Sequence, residues 1–173
     1  MQILEKAYAK VFGSYEVIEG GKPYQALLNL TGFPSDILYH DEIAQDALWK
    51  LIQKAARKDY PMVTAVNSVA LGETKAIKAK GLADHHAYTI LTAFTVMGEN
   101  EEEIRIVKIR NPYGTRARRE WQIEWSEMSE QLKTYLTEQM GINEDMDGIF
   151  WVKFENFLKY FYYTSICLYH ENY

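Results

Sequence analysis

At 173 residues, with 47% apolar and 25% charged positions, the chain holds one soluble domain's worth of protein and enough apolar material for its own core. A net charge of −5 argues against non-specific binding to nucleic acid and suits a protein that takes up a cation. The single cysteine, Cys167, excludes a disulfide framework within the chain and points to a reducing, cytoplasmic setting, and no apolar run is long enough for a transmembrane segment. No secretory signal opens the chain, and the Met1-Gln2 start reads as an initiator placed before a domain boundary, as in an excised fragment.

Taken in order, residues 3–12 predict an amphipathic helix with Leu4, Ala7, Tyr8 and Val11 on one face and Gly13 as its stop. Gly20-Gly21-Lys22-Pro23 is a turn sequence; residues 24–29 suit a short helix or a strand, and residues 30–39 a strand broken at Pro34. Asp41 is placed to cap a helix running to about Lys58, whose apolar face is Ile43, Ala47, Leu48, Leu51, Ile52 and Ala55; Pro61 bars its continuation. Residues 62–71 are a β-type run, followed by a polar, lysine-bearing loop to Gly81.

Two further runs dominate the middle of the chain. Residues 86–96 and 104–110 are rich in β-branched and aromatic side chains, and the second alternates apolar with charged. Between them, Gly98-Glu99-Asn100-Glu101-Glu102-Glu103 is too charged to be buried, which predicts an antiparallel hairpin with a solvated loop. The start of one strand then lies beside the end of the other, so His86 and Asn111 belong at the same edge of a sheet.

Beyond the hairpin, Thr115-Arg116-Ala117-Arg118-Arg119 reads as a solvated basic loop. Ser126 is placed to cap a helix from about Glu127 to Met140, stopped by Gly141. Residues 149–154 predict a strand, 155–160 a helical turn and 161–169 a last strand. Helices and strands alternate without a βαβ rhythm, and no repeat or linker divides the chain, so the class is α+β in a single unit, 1–173.

A histidine beside an asparagine has a chemical use. The carboxamide oxygen accepts the imidazole N–H, fixes tautomer and ring direction, and leaves the other nitrogen for a nucleophile. Position alone also suits a buried strand histidine held by a carbonyl, and Asn111-Pro112-Tyr113-Gly114 is in any case a turn sequence. Cys167, inside an apolar strand-like run, reads as a structural thiol, while His40 and His170 have no partner that the sequence identifies.

Five ordered segments carry a resemblance to the calpain family of cysteine proteases. They are Leu4-Glu5-Lys6-Ala7-Tyr8-Ala9-Lys10, Thr31-Gly32, Gly81-Leu82 with His86-Ala87-Tyr88, Ile109-Arg110-Asn111-Pro112-Tyr113-Gly114, and Asp147-Gly148-Ile149-Phe150-Trp151. The resemblance implies the second half of the calpain catalytic core, a papain-like protease half of antiparallel sheets flanked by helices. It implies His86 as general base, Asn111 as its orienter and Tyr113 at the position of a tryptophan that wedges the cleft. It also implies a Ca²⁺ site on Glu120, Glu127, Asp147 and a backbone carbonyl near Asp145, with Ile149 standing where the family has one more acid. Just before His86 the family usually carries glycine, and here the residue is His85.

The nucleophilic cysteine of such a core, which the resemblance places after a glutamine and before a tryptophan, is not in this chain. The partners implied are that cysteine-bearing half and unstructured protein substrates, with no nucleic acid. Read otherwise, the chain is a non-catalytic calpain-like domain serving as an interaction or scaffold module. His85, Tyr113 and Ile149 lean that way, and the residue encoded at the cysteine position separates the two readings.

Overall fold

Among the described residues one six-stranded sheet organises the fold, with every neighbouring pair of strands antiparallel. The computed structural model describes residues 2–67, 72, 81–98, 101–114, 133–134, 137–138 and 148–169. Its helices are α1 (Gln2–Phe12), α2 (Pro23–Thr31), α3 (Gln45–Arg57) and α4 (Phe154–Tyr160), with a 3₁₀ turn at Glu16–Ile18. The strands are β1 (Ser35–Tyr39), β2 (Met62–Val66), β3 (His86–Met97), β4 (Glu103–Arg110), β5 (Ile149–Lys153) and β6 (Tyr163–Cys167). They lie in the order β1-β6-β2-β3-β4-β5, an α+β arrangement consistent with a papain-like protease half.

The main core fills one face of this sheet. Leu48, Trp49, Ile52 and Ala55 of α3 and Phe154, Phe157 and Tyr160 of α4 pack on Met62, Tyr88, Ile90, Val107, Ile109, Phe150, Val152 and Ile166. Burying several side chains of this size, at about 25 cal/mol per Å² of apolar surface, dominates the stabilisation. On the opposite face Val96, Ile106 and Trp151 form a smaller cluster with Phe94 and Ile104. A bulge at Leu91 in β3, between the pairs Ile90↔Ile109 and Thr92↔Lys108, shifts the alternation of side chains between the two faces. At the β1–β6 edge, α2 covers that second face: its Thr31 Oγ1 lies 3.4 Å from Cys167 Sγ, and the Cys167 side chain alternates with Ile166 of the main core.

Several local expectations shift. Residues 30 and 31 belong to the end of α2, which Gly32 closes in the left-handed conformation at φ +76°, so the strand begins only at Ser35. Helix α3 starts at Gln45 with Ala44 at its N-cap and no side-chain cap, four residues after Asp41. Its buried stripe is Leu48, Trp49, Ile52 and Ala55, while Ala47 and Leu51 are exposed. Helix α1 forms and stops at Gly13, yet Leu4 and Val11 of its apolar face are exposed and only Ala9 is buried. The basic loop at 115–119 and the helix capped by Ser126 lie outside the described residues, apart from two short helical pairs at 133–134 and 137–138.

Candidate active site

The hairpin brings the two predicted residues together. His86 is the first residue of β3, and Asn111 directly follows the last residue of β4; the pair Thr89↔Arg110 sets them at one rim of the sheet. His86 Nε2 lies 2.8 Å from Asn111 Oδ1. A carboxamide oxygen only accepts, so Nε2 carries the proton and donates it. The Tyr113 backbone N–H donates to the same oxygen at 3.0 Å, which identifies it as the oxygen of the amide. The neutral imidazole therefore presents Nδ1 as an unprotonated nitrogen, the atom that can take a proton from a thiol.

Asn111 is fully buried, and its backbone is as constrained as its side chain. Its N–H donates to Gly148 O at 2.8 Å, and its own carbonyl accepts from Gly114 N at 3.2 Å. Gly148 sits in the left-handed region at φ +68°, and a Cβ there would lie 2.7 Å from Asn111 O and 3.1 Å from Gly114 Cα. The glycine is thus required twice over, for conformation and for the close approach of the two chains.

Three aromatic and imidazole rings complete the site. Tyr113 stacks on His86 with ring centroids 4.2 Å apart at 29° and remains 59% exposed, so it covers the imidazole from the solvent side. Tyr88 meets His86 edge-on at 4.9 Å and 81° and is buried. His85 adopts φ +49°, the left-handed conformation expected of a glycine position. Its N–H is held by Asp84 Oδ1 at 2.9 Å, and its exposed ring stands 3.9 Å from the other oxygen of Asp84.

Cys167 is fully buried beside Thr31 at the Met62 end of β2, whereas His86 pairs with Val66 at the other end, so the thiol does not reach the imidazole. Glu120, Glu127, Asp145 and Asp147 lie outside the described residues. Among the described residues, no three His, Cys, Asp or Glu side chains gather closely enough to hold a metal ion. Ile149 opens β5 opposite Arg110 and offers no side-chain oxygen.

The sequence missed the parts played by Tyr88 and Gly148. A tyrosine two places after His86 shares its strand face, and a glycine before an apolar strand marks close backbone approach; both signals were present. His40, left without a partner by the sequence, has two. Its Nδ1–H donates to Phe161 O at 2.7 Å, and its Nε2 accepts from Thr164 Oγ1 at 2.9 Å.

Comparison with known proteins supplies the context for this geometry. A family model described as "Calpain family cysteine protease" matches residues 1–168. Calpain-A of Drosophila melanogaster is 34% identical over 171 residues, covering 95% of this chain and 20% of that protein. Calpain-9 of Rattus norvegicus is 31% identical over 168 residues, 95% of this chain and 24% of the relative. The calpain-1 catalytic subunit of Mus musculus is 32% identical over 168 residues, 95% and 23% respectively. The chain thus spans between a fifth and a quarter of the length of these three relatives.

Proposed function

This chain belongs to the calpain family of cysteine proteases, and from that premise we propose that residues 1–173 are the histidine- and asparagine-bearing half of the catalytic core, inactive alone and completed by an external cysteine. The observation that carries this reading is the 2.8 Å contact from His86 Nε2 to Asn111 Oδ1, which leaves Nδ1 as the basic nitrogen of a half-buried ring at the sheet's rim. A second support is α1, an 11-residue helix with Ile3, Leu4, Val11 and Phe12 exposed. A helix of this length is marginal in water unless its apolar face is covered, which suits a partner half.

In this reading His86 Nδ1 takes the proton of the incoming thiol, and the thiolate attacks the carbonyl carbon of the scissile peptide. The imidazolium then gives that proton to the leaving amine, and an acyl-thioester remains. Water attacks the thioester as Nδ1 takes its proton, and the thiol is regained when that proton returns to sulfur. Asn111 holds the ring so that Nδ1 stays the reacting nitrogen, and Tyr113 shields the His86–Asn111 hydrogen bond. Substrates are extended, unstructured protein segments, since a cleft between two halves admits a strand more readily than a folded surface. The compartment is reducing and cytoplasmic, in keeping with a lone buried thiol.

Mixing this chain with its own cysteine-bearing half should yield cleavage of an unstructured protein. His86→Ala should lower that turnover by about a thousandfold or more. Turnover that survives His86→Ala would remove the catalytic assignment, and a serine, alanine or glycine encoded at the cysteine position would favour the scaffold reading.

Calcium belongs to this reading through the resemblance. Glu120, Glu127, Asp147 and the carbonyl near Asp145 are hard oxygen donors, the type that Ca²⁺ takes in sets of roughly six to eight. When bound, the ion would act as a conformational switch between halves, and Ile149 leaves the donor set one carboxylate short. Calorimetric titration of the chain with Ca²⁺ is expected to show weak heat of binding; a flat trace removes the site.

A further inference from the structure

We propose that Tyr88 is a positioning residue for His86, transmitting the rigidity of the core to the imidazole. Its effect on catalysis rests on the function proposed above; its effect on the imidazole itself does not.

Tyr88 is 1% exposed, and its ring is clamped edge-on between Phe150 of β5 at 5.9 Å and Phe161 after α4 at 5.5 Å. With the ring fixed, the hydroxyl has one location. There Tyr88 Oη accepts the Ala83 backbone N–H at 2.8 Å. Only two residues separate Ala83 from His86, and one of them, His85, is held at φ +49°. A non-glycine residue in that region is disfavoured, so the segment would relax if it were not tied at both ends. The β-ladder ties it after His86, where Ala87 pairs with Ala65, and the Tyr88 hydroxyl ties it before.

The same ring that anchors Ala83 also meets the imidazole at 4.9 Å. His86 is therefore bounded by Asn111 at Nε2, by Tyr113 on one face and by Tyr88 at a near-perpendicular angle. Two of these walls are built on the turn after β4. Tyr88 is the wall that belongs to the strand of His86 itself and sets the direction from which the ring enters the site.

The test is Tyr88→Phe, which keeps the ring and removes the hydroxyl, read by ¹⁵N NMR of the histidine imidazoles in this chain at mildly alkaline pH. The expected result is a measurable rise in the Nδ1–H tautomer of His86 and faster solvent exchange of its Nε2 proton, by about tenfold. His40, bonded to the Phe161 carbonyl and the Thr164 hydroxyl, keeps its spectrum and reports that the core on the Phe161 side of Tyr88 is intact. An unchanged tautomer ratio and exchange rate for His86 would overturn the proposal.

Should Tyr88→Phe fail to fold, hydrogen exchange of the wild-type Ala83 amide decides. Protection comparable with the amides of β3 supports the anchor, and rapid exchange overturns it. In the reconstituted protease, Tyr88→Phe should reduce kcat by roughly tenfold with KM within about twofold, as expected for a misaligned base. A change confined to KM counts against positioning. Absence of any turnover in the wild type refutes the protease reading and leaves the NMR result standing.

Discussion

At the scale of single residues, the backbone around Asn111 bears as much of the geometry as the side chains do. The Asn111 amide and carbonyl are both engaged, and Gly148 approaches too closely to admit a Cβ. Gly148→Ala combines a left-handed φ with a 2.7 Å contact to Asn111 O, so it should destabilise the chain by about 2 kcal/mol or more. It should also weaken the hold on His86. Urea unfolding checks the first effect and the His86 imidazole resonances check the second; stability equal to wild type would show that the turn yields without cost. The convergence of His86 and Asn111 was legible from the letters, because an antiparallel hairpin joins strand start to strand end. Gly148 and Tyr88 left only local traces, a glycine before an apolar strand and a tyrosine two places after His86; what they touch depends on which segments from outside the hairpin come to lie against it.

At the scale of elements, β3 and β4 were readable because β-branched and aromatic residues run along both strands and a charged loop separates them, although the bulge at Leu91 interrupts the alternation of β3. Helix α3 was readable in its interior and not at its start, where no side chain caps the first turn. Helix α1 was readable as a helix, but an apolar stripe does not say whether its partner lies within the same chain.

The junction of β1, α4 and β6 is held by His40, which sequence reasoning left unassigned because both of its partners are more than a hundred residues away. Burial lowers its pKa from the ordinary 6.5 to about 4, against the opposing pull of the Phe161 carbonyl and Asp41. Above pH 6.5 the group is neutral in both folded and unfolded chains. As pH falls from 6.5 towards 4 the unfolded chain binds a proton that the folded one refuses, so stability declines across that window and levels off below it. The loss is at most about 3 kcal/mol. Urea unfolding at pH 7, 5.5 and 4.5 should show a steeper decline in the wild type than in His40→Gln; parallel curves would mean that the junction tolerates a charged imidazole.

At the scale of the whole molecule, one sheet carries a deep core on one face and a smaller apolar cluster on the other. The candidate site lies at the sheet's rim, where in the proposed reading His86 Nδ1 meets a thiol supplied by the other half of the core. The fold class followed from the mixed order of elements, and the single sheet required the long-range pairing of β6 between β1 and β2. That pairing joins residues near the two ends of the chain, and no local periodicity encodes it.

The hairpin of β3 and β4 has one more consequence. Twelve residues of β3 extend about 36 Å from His86, and the far turn is closed by Gly98 N–H donating to Glu102 O at 2.8 Å. The candidate site occupies one tip of this two-pronged fork, and the exposed Glu101, Glu102 and Glu103 lie at the other. Length changes near Glu101 should therefore leave the His86–Asn111 hydrogen bond intact, which the His86 imidazole resonances of a chain lengthened there would check.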